Sequence, residues 1–190
     1  MNARQAMLSA LCALAITAPL PASADNPSLT PEQVSAIYFE AARSGRSDIL
    51  GDLLNAGADI EVRNDAGFTA FVLAAYNGQM QTVEFLLERG ADPCAADHRG
   101  NTAQMGVAFT GDDDMAERLL ETNCDVNATN AAGQTSLMMA ALFGRDKQVD
   151  MLLAQGADRS IRDATGNTAP SLAEQQGNAP MIAQLQPTSE

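Results

Sequence analysis

One histidine, three cysteines, a run of three aspartates and nine methionines are the residues of this chain that could do chemistry. Acid–base catalysis most often rests on histidine. Here His98 stands alone in Asp97-His98-Arg99-Gly100, a polar turn sequence. No serine or cysteine is accompanied by a second histidine or a glycine elbow, so a nucleophilic triad lacks its members. The sequence has no phosphate-binding loop of the G-x-x-x-x-G-K type. Cys94 and Cys124 lie thirty residues apart, and with one histidine they are too few for a zinc site. Asp112-Asp113-Asp114 lacks the alternating oxygen ligands of a calcium loop and reads as the acidic start of a helix, favoured by the helix dipole. Methionine sulfur could ligate copper(I) or haem iron, but the methionines fall at positions that suit a packed core. These residues point away from an enzyme. No metal and no cofactor is expected.

The chain opens on a segment built for export. Met1–Gln5 carries Arg4, Ala6–Leu20 is apolar, and Ala22-Ser23-Ala24 gives a small-x-small cleavage site after Pro19 and Pro21. The apolar run is too short for a comfortable membrane span. Leu11 stands where a lipoprotein cysteine such as Cys12 needs a small residue before it. Residues 1–24 are therefore expected to be a removable signal peptide, and residues 25–30 a polar leader, mobile after cleavage. The formal charge is −13 over the whole chain, and cleavage removes Arg4 but no acid. So acidic a surface repels nucleic acid and anionic lipid. No nucleic-acid partner is expected, and no membrane association after cleavage. Export also implies an oxidising setting, in which Cys94 and Cys124 make one disulfide arithmetically available.

The elements that position these residues repeat with a period of 33. Gly45, Gly78, Gly111, Gly144 and Gly177 form one column. Gly67, Gly100, Gly133 and Gly166 form another, each two residues before Thr69, Thr102, Thr135 and Thr168. Leucine pairs recur at Leu53-Leu54, Leu86-Leu87, Leu119-Leu120 and Leu152-Leu153. In the unit 64–96, Gly67 suits a tight hairpin tip, Thr69 an N-cap, and Ala70–Tyr76 a first helix ended by Gly78. Gln79–Glu88 forms the second helix, with Val83, Leu86 and Leu87 on its buried side. So short a pair cannot bury its apolar face alone, and stacked neighbours must bury it together.

The units run 31–63, 64–96, 97–129, 130–162 and 163–186, followed by a polar tail at 187–190. Thr30-Pro31 starts the first helix early, as an N-terminal cap would. Gly106 lies inside a helix of the third unit at a cost of about 1 kcal/mol, which marks a soft point. Pro180 shortens the last unit, leaving Met181–Leu185 little more than one turn.

D-x-x-G-x-T, an apolar helix, A-A-x-x-G, L-L and G-A-D-x-N recur in whole or part over Pro31–Gln186, and this pattern closely resembles the ankyrin repeat. The resemblance implies an all-α solenoid of five stacked helix–turn–helix units with short hairpin loops. Where the family has T-P-L-H, this chain has TAFV, TAQM, TSLM and TAPS, so a bracing hydrogen bond is lost and a less rigid array is expected. By motif, Cys94 takes the asparagine position of the second unit and Cys124 an alanine position of the third. Both fall near the ends of second helices in adjacent units, and spacing leaves their Cα distance open.

The family lines a concave face with fingertips and first helices. By column, that face carries Phe68 at a tip, Tyr76, Phe109 and Leu142 late in the first helices, and Phe143 next to them. His98 and Arg99 lie at a tip. Large apolar groups on an exposed face mark a binding site. The expectation is a monomeric, non-enzymatic module in a bacterial periplasm that binds another protein. The leader is also similar to that of a bacterial ankyrin group linked with periplasmic catalases and peroxide resistance. That similarity implies an alternative role in supporting a catalase or handling haem.

Overall fold

The computed structural model describes residues 29–186. The signal peptide expected over 1–24, Cys12 within it, residues 25–28 of the leader and the tail at 187–190 lie outside the described residues. Among the described residues ten α-helices follow one another: α1 Pro31–Arg43, α2 Ser47–Asn55, α3 Ala70–Tyr76, α4 Met80–Glu88, α5 Ala103–Thr110, α6 Asp113–Leu120, α7 Ser136–Leu142, α8 Asp146–Ala154, α9 Ala169–Gln176 and α10 Ala179–Leu185. Among the described residues no helix is long and apolar enough to cross a membrane. Extended pairing there is confined to an isolated bridge between Ala96 and Thr102 at a hairpin loop.

Local chemistry starts each first helix. Thr69, Thr102, Thr135 and Thr168 are extended, and each hydroxyl accepts the N–H three residues on, from Val72, Met105, Met138 and Ser171. That satisfies one of the donors a helix start leaves unpaired. Second helices are capped less uniformly. Asp112 accepts from Met115 N–H at 3.0 Å, and Asn178 from Met181 N–H at 3.2 Å. The aspartate run is thus an N-cap followed by Asp113 and Asp114 in the first turn of α6, where the helix dipole favours them. At the last unit the structure departs from expectation. α10 begins at Ala179 and spans seven residues, with Pro180 in its first turn. A proline there forfeits only an N–H that has no helical partner, and Asn178 caps the turn in front of it.

The first helices stack in order, α1 on α3, α3 on α5, α5 on α7 and α7 on α9, and each unit's second helix packs on its first. Side chains from both rows form the core. Phe71, Leu50, Val83, Leu86, Val107 and Met115 are fully buried, as are Leu137, Leu152, Met181 and Leu185 further along. Burial of each such aliphatic or aromatic side chain stabilises by about 1.5–3 kcal/mol. Met105, Met115, Met138 and Met181 are buried core residues. Val72, Met105 and Met138 fill the column where the family places histidine, so apolar packing stands in for the missing hydrogen bond. α1 has thirteen residues, the most of any described helix. It closes the N-terminal end with Tyr38 and Phe39, and the Tyr38 hydroxyl donates to Ile60 C=O at 3.3 Å.

Candidate functional site

Hairpin tips come first, because they carry three of the expected site residues. Asn64, Asp97, Asn130 and Asp163 form a column, and in each an Oδ1 accepts backbone N–H groups two and four residues on. This folds the loop onto its own side chain. The Thr165 hydroxyl, with backbone N–H groups behind it, holds the Asp163 carboxyl below its ordinary range. Neighbouring tips are then joined through backbone: His98 N–H to Ala66 C=O at 3.1 Å, Ala131 N–H to Arg99 C=O at 2.8 Å, and Ala164 N–H to Ala132 C=O at 2.8 Å. Gly67 is required at this seam. Its φ is +86°, and a Cβ there would lie 2.5 Å from the His98 backbone nitrogen.

Beside the tips runs a row of rings. Tyr76 ends α3, Phe109 lies in the last turn of α5, and Phe143 follows α7. They are 42, 49 and 38% exposed. Tyr76 and Phe109 lie nearly parallel at 6.2 Å, and Phe109 meets Phe143 edge-on at 4.9 Å. Each pair contributes about 0.5–1.5 kcal/mol beyond burial, so the row holds itself in place. Gly106 lets the first ring lie down, since a Cβ on it would meet Tyr76 Cδ2 at 3.0 Å. Arg145 anchors the backbone that carries the second ring: Nη2 donates to Phe109 C=O at 2.7 Å and Nε to Ala108 C=O at 3.3 Å. A guanidinium at a helix C-terminus also matches the dipole. From sequence Gly106 reads only as a soft point of the third unit, not as the seat of a ring, and Arg145 is not singled out at all. The signal was there in part, because Arg145 directly follows the repeat glycine Gly144, as Arg46, Gln79, Asp112 and Asn178 follow theirs.

Phe68, Tyr76, Phe109 and Phe143 line an open groove of about 690 Å³, with Arg43 and Arg99 at its polar edge. Two expected residues lie elsewhere. Leu142 shares the column of Tyr76 and Phe109, yet it is half-buried against the core cluster around Leu137 and Met138. One residue along a helix is a turn of about 100°, so Leu142 and Phe143 face apart, and the ring of Phe143 continues the row. His98 is exposed at its tip but does not line the groove, because its side chain lies over Gly67.

On the second-helix side, Cys94 and Cys124 are joined as a disulfide with their Cα atoms 5.3 Å apart. The tie falls where it has most to hold, since α4 and α6 touch least among adjoining second helices. Closing a loop of 30 residues contributes about 3.6 kcal/mol by restricting the unfolded chain. Arg118 adds a two-pronged ion pair to Glu84 across the same junction, with Nη2 to Oε2 at 3.0 Å, and its guanidinium holds the Glu84 carboxyl below its ordinary range. Next to the disulfide is a cavity of about 220 Å³ that reaches Gln104. Among the described residues no three or more His, Cys, Asp or Glu side chains are grouped to hold a metal.

Stacked helix pairs, serially bonded tips and an exposed ring-lined face define a helical-repeat recognition protein. Residues 38–130 match the family model described as ankyrin repeats (3 copies), and residues 132–164 match the model of the single ankyrin repeat. A search of curated proteins finds no match. The chain belongs to the ankyrin-repeat family, and its repeats mark it as a protein-binding module. The final helices α9 and α10 lie wholly beyond the matched residues but extend the same stack.

Proposed function

We propose that the chain is an exported, non-enzymatic module that binds a protein partner along the face bearing Phe68, Tyr76, Arg99, Phe109 and Phe143. The observation that carries this reading is the continuous exposed row of Tyr76, Phe109 and Phe143, held at 6.2 and 4.9 Å by its own ring contacts. Rigid aromatic groups lose little entropy on binding and dominate the energy of an interface. Replacing Tyr76 and Phe109 together by alanine removes capture of the partner and leaves the helical circular-dichroism signal unchanged. Unchanged capture would sink the reading.

Export to a periplasm rests on the apolar leader and Ala22-Ser23-Ala24, and the joined pair Cys94–Cys124 suits an oxidising compartment. N-terminal sequencing of the exported protein then begins at Asp25. The accessory role toward a catalase or haem rests on the leader's similarity alone. His98 stands at a fingertip outside the groove, so the ring row gains no iron ligand from it. A haem titration without a Soret shift removes direct haem binding.

A further inference from the structure

The groove's charge runs against that of the chain. The sequence has 24 acidic and 11 basic residues, yet the charged residues lining the groove are Arg43, Arg99 and Asp97. Asp97 is already committed: Oδ1 accepts the N–H groups of Arg99 and Asn101, and Oδ2 accepts Asn101 Nδ2–H at 2.9 Å. Arg43 meets a carboxylate only loosely, Glu40 at 3.7 Å with both side chains largely in water. The Arg99 guanidinium has no ion pair among the described residues. Two guanidinium groups thus stand beside four rings with little anionic charge to answer them.

Resting on the reading of this face as a protein-binding surface, we propose that its occupant is a peptide segment of the partner that places an aromatic or large aliphatic side chain against Tyr76, Phe109 and Phe143 and a carboxylate against Arg99 and Arg43. The rings give such a segment its apolar anchorage. The guanidinium groups give it register, since their planar forks match a carboxylate in a way a neutral amide cannot. The rest of the surface works in the opposite sense. A molecule of charge −13 repels acidic chains at large and attracts basic ones. A segment that combines apolar bulk with a carboxylate therefore finds favourable charge in the groove, whereas a basic segment is drawn to other faces. Specificity arises from that contrast, with repulsion rejecting other acidic contacts.

The probe is a randomised linear peptide library displayed on phage and selected on the disulfide-intact protein. Individual selected peptides are then synthesised as such and with Asp and Glu replaced by Asn and Gln, and their binding is read by fluorescence anisotropy. The expected selection is enriched in Phe, Tyr or Leu beside Asp or Glu. The amide versions bind about tenfold more weakly. Phe109→Ala weakens both versions about thirtyfold or more. Arg99→Glu weakens the carboxylate version by more than tenfold and the amide version far less, which a merely structural role for Arg99 would not produce. Selection of Lys- and Arg-rich peptides overturns the inference, as does equal binding of the two versions. If Phe109→Ala removes binding while charge makes no difference, the inference falls and the face stands. If Phe109→Ala changes nothing, both fall. If Phe109→Ala instead dissolves a dimer of the wild-type protein in sedimentation velocity, the occupant is a second copy and the inference is again overturned.

Discussion

Gln104 stands in the column of the buried residues Phe71 and Leu137, and neither polar atom of its amide meets a hydrogen-bond partner among the described residues. A buried amide without partners costs about 1–3 kcal/mol. Gln104→Leu, which restores the neighbouring residue type, is expected to raise the urea midpoint by the equivalent of about 1 kcal/mol or more with the slope unchanged. A lower midpoint would show that the amide is satisfied within its cavity. Tyr38 makes a second residue-scale case. Burial, with Glu61 and Asp59 adding to it, pushes its phenol from 10.0 up to about 12. The folded state favours the neutral ring, so this contribution to stability is fully present below pH 10 and is lost as pH rises through 12. An absorbance titration at alkaline pH should show a step near pH 12 that is absent in Tyr38→Phe and coincides with loss of helical signal. At this scale the sequence told much about caps and little about faces. Thr69 and its column were readable as N-caps because the bond is local. Leu142 was misplaced because a column alignment carries no information on which of two adjacent residues turns outward.

Helix α5 is the element on which the face depends. Gly106 lies in its interior, and the ring of Tyr76 from α3 lies over it. Alanine at this position gains about 1 kcal/mol of helix propensity. Its Cβ also meets Tyr76 Cδ2 at 3.0 Å, and Tyr76 is exposed enough to move away. Gly106→Ala should therefore hold or raise thermal stability while weakening peptide binding several-fold, because Tyr76 leaves its stack on Phe109. Loss of stability together with intact binding would contradict this account of the glycine. The helices themselves were legible: the bounds Ala70–Tyr76 follow from Thr69 in front and the glycine after Asn77, and the second helix differs only in leaving Gln79 as its cap. The last unit was less so. Pro180 reads as a helix breaker in isolation and becomes a first-turn residue once Asn178 caps the turn. The roles of Gly106 and Arg145 were hidden because both act on a neighbouring unit, 30 or more residues away in sequence.

Taken whole, the described chain is a linear array in which each unit leans on its neighbours, so its stability is carried by unit-to-unit seams rather than one central core. The seams are several kinds of bond: backbone links between tips, Arg118 to Glu84, the Cys94–Cys124 disulfide, and rings in contact along one face. The period of 33 announced the array, since repetition itself encodes stacking. It said little about the partner, because binding residues are those the repeat leaves unconstrained. The central claim is that recognition occurs at the ring row. Its most direct test is site-specific photo-crosslinking in the producing cell, with the photoreactive residue placed at Tyr76 and, as a control, at the exposed Glu88 on α4. The account predicts a discrete crosslinked protein from position 76, lost on Phe109→Ala, and none from position 88. The same adduct from both positions, or an adduct from 88 alone, would contradict it.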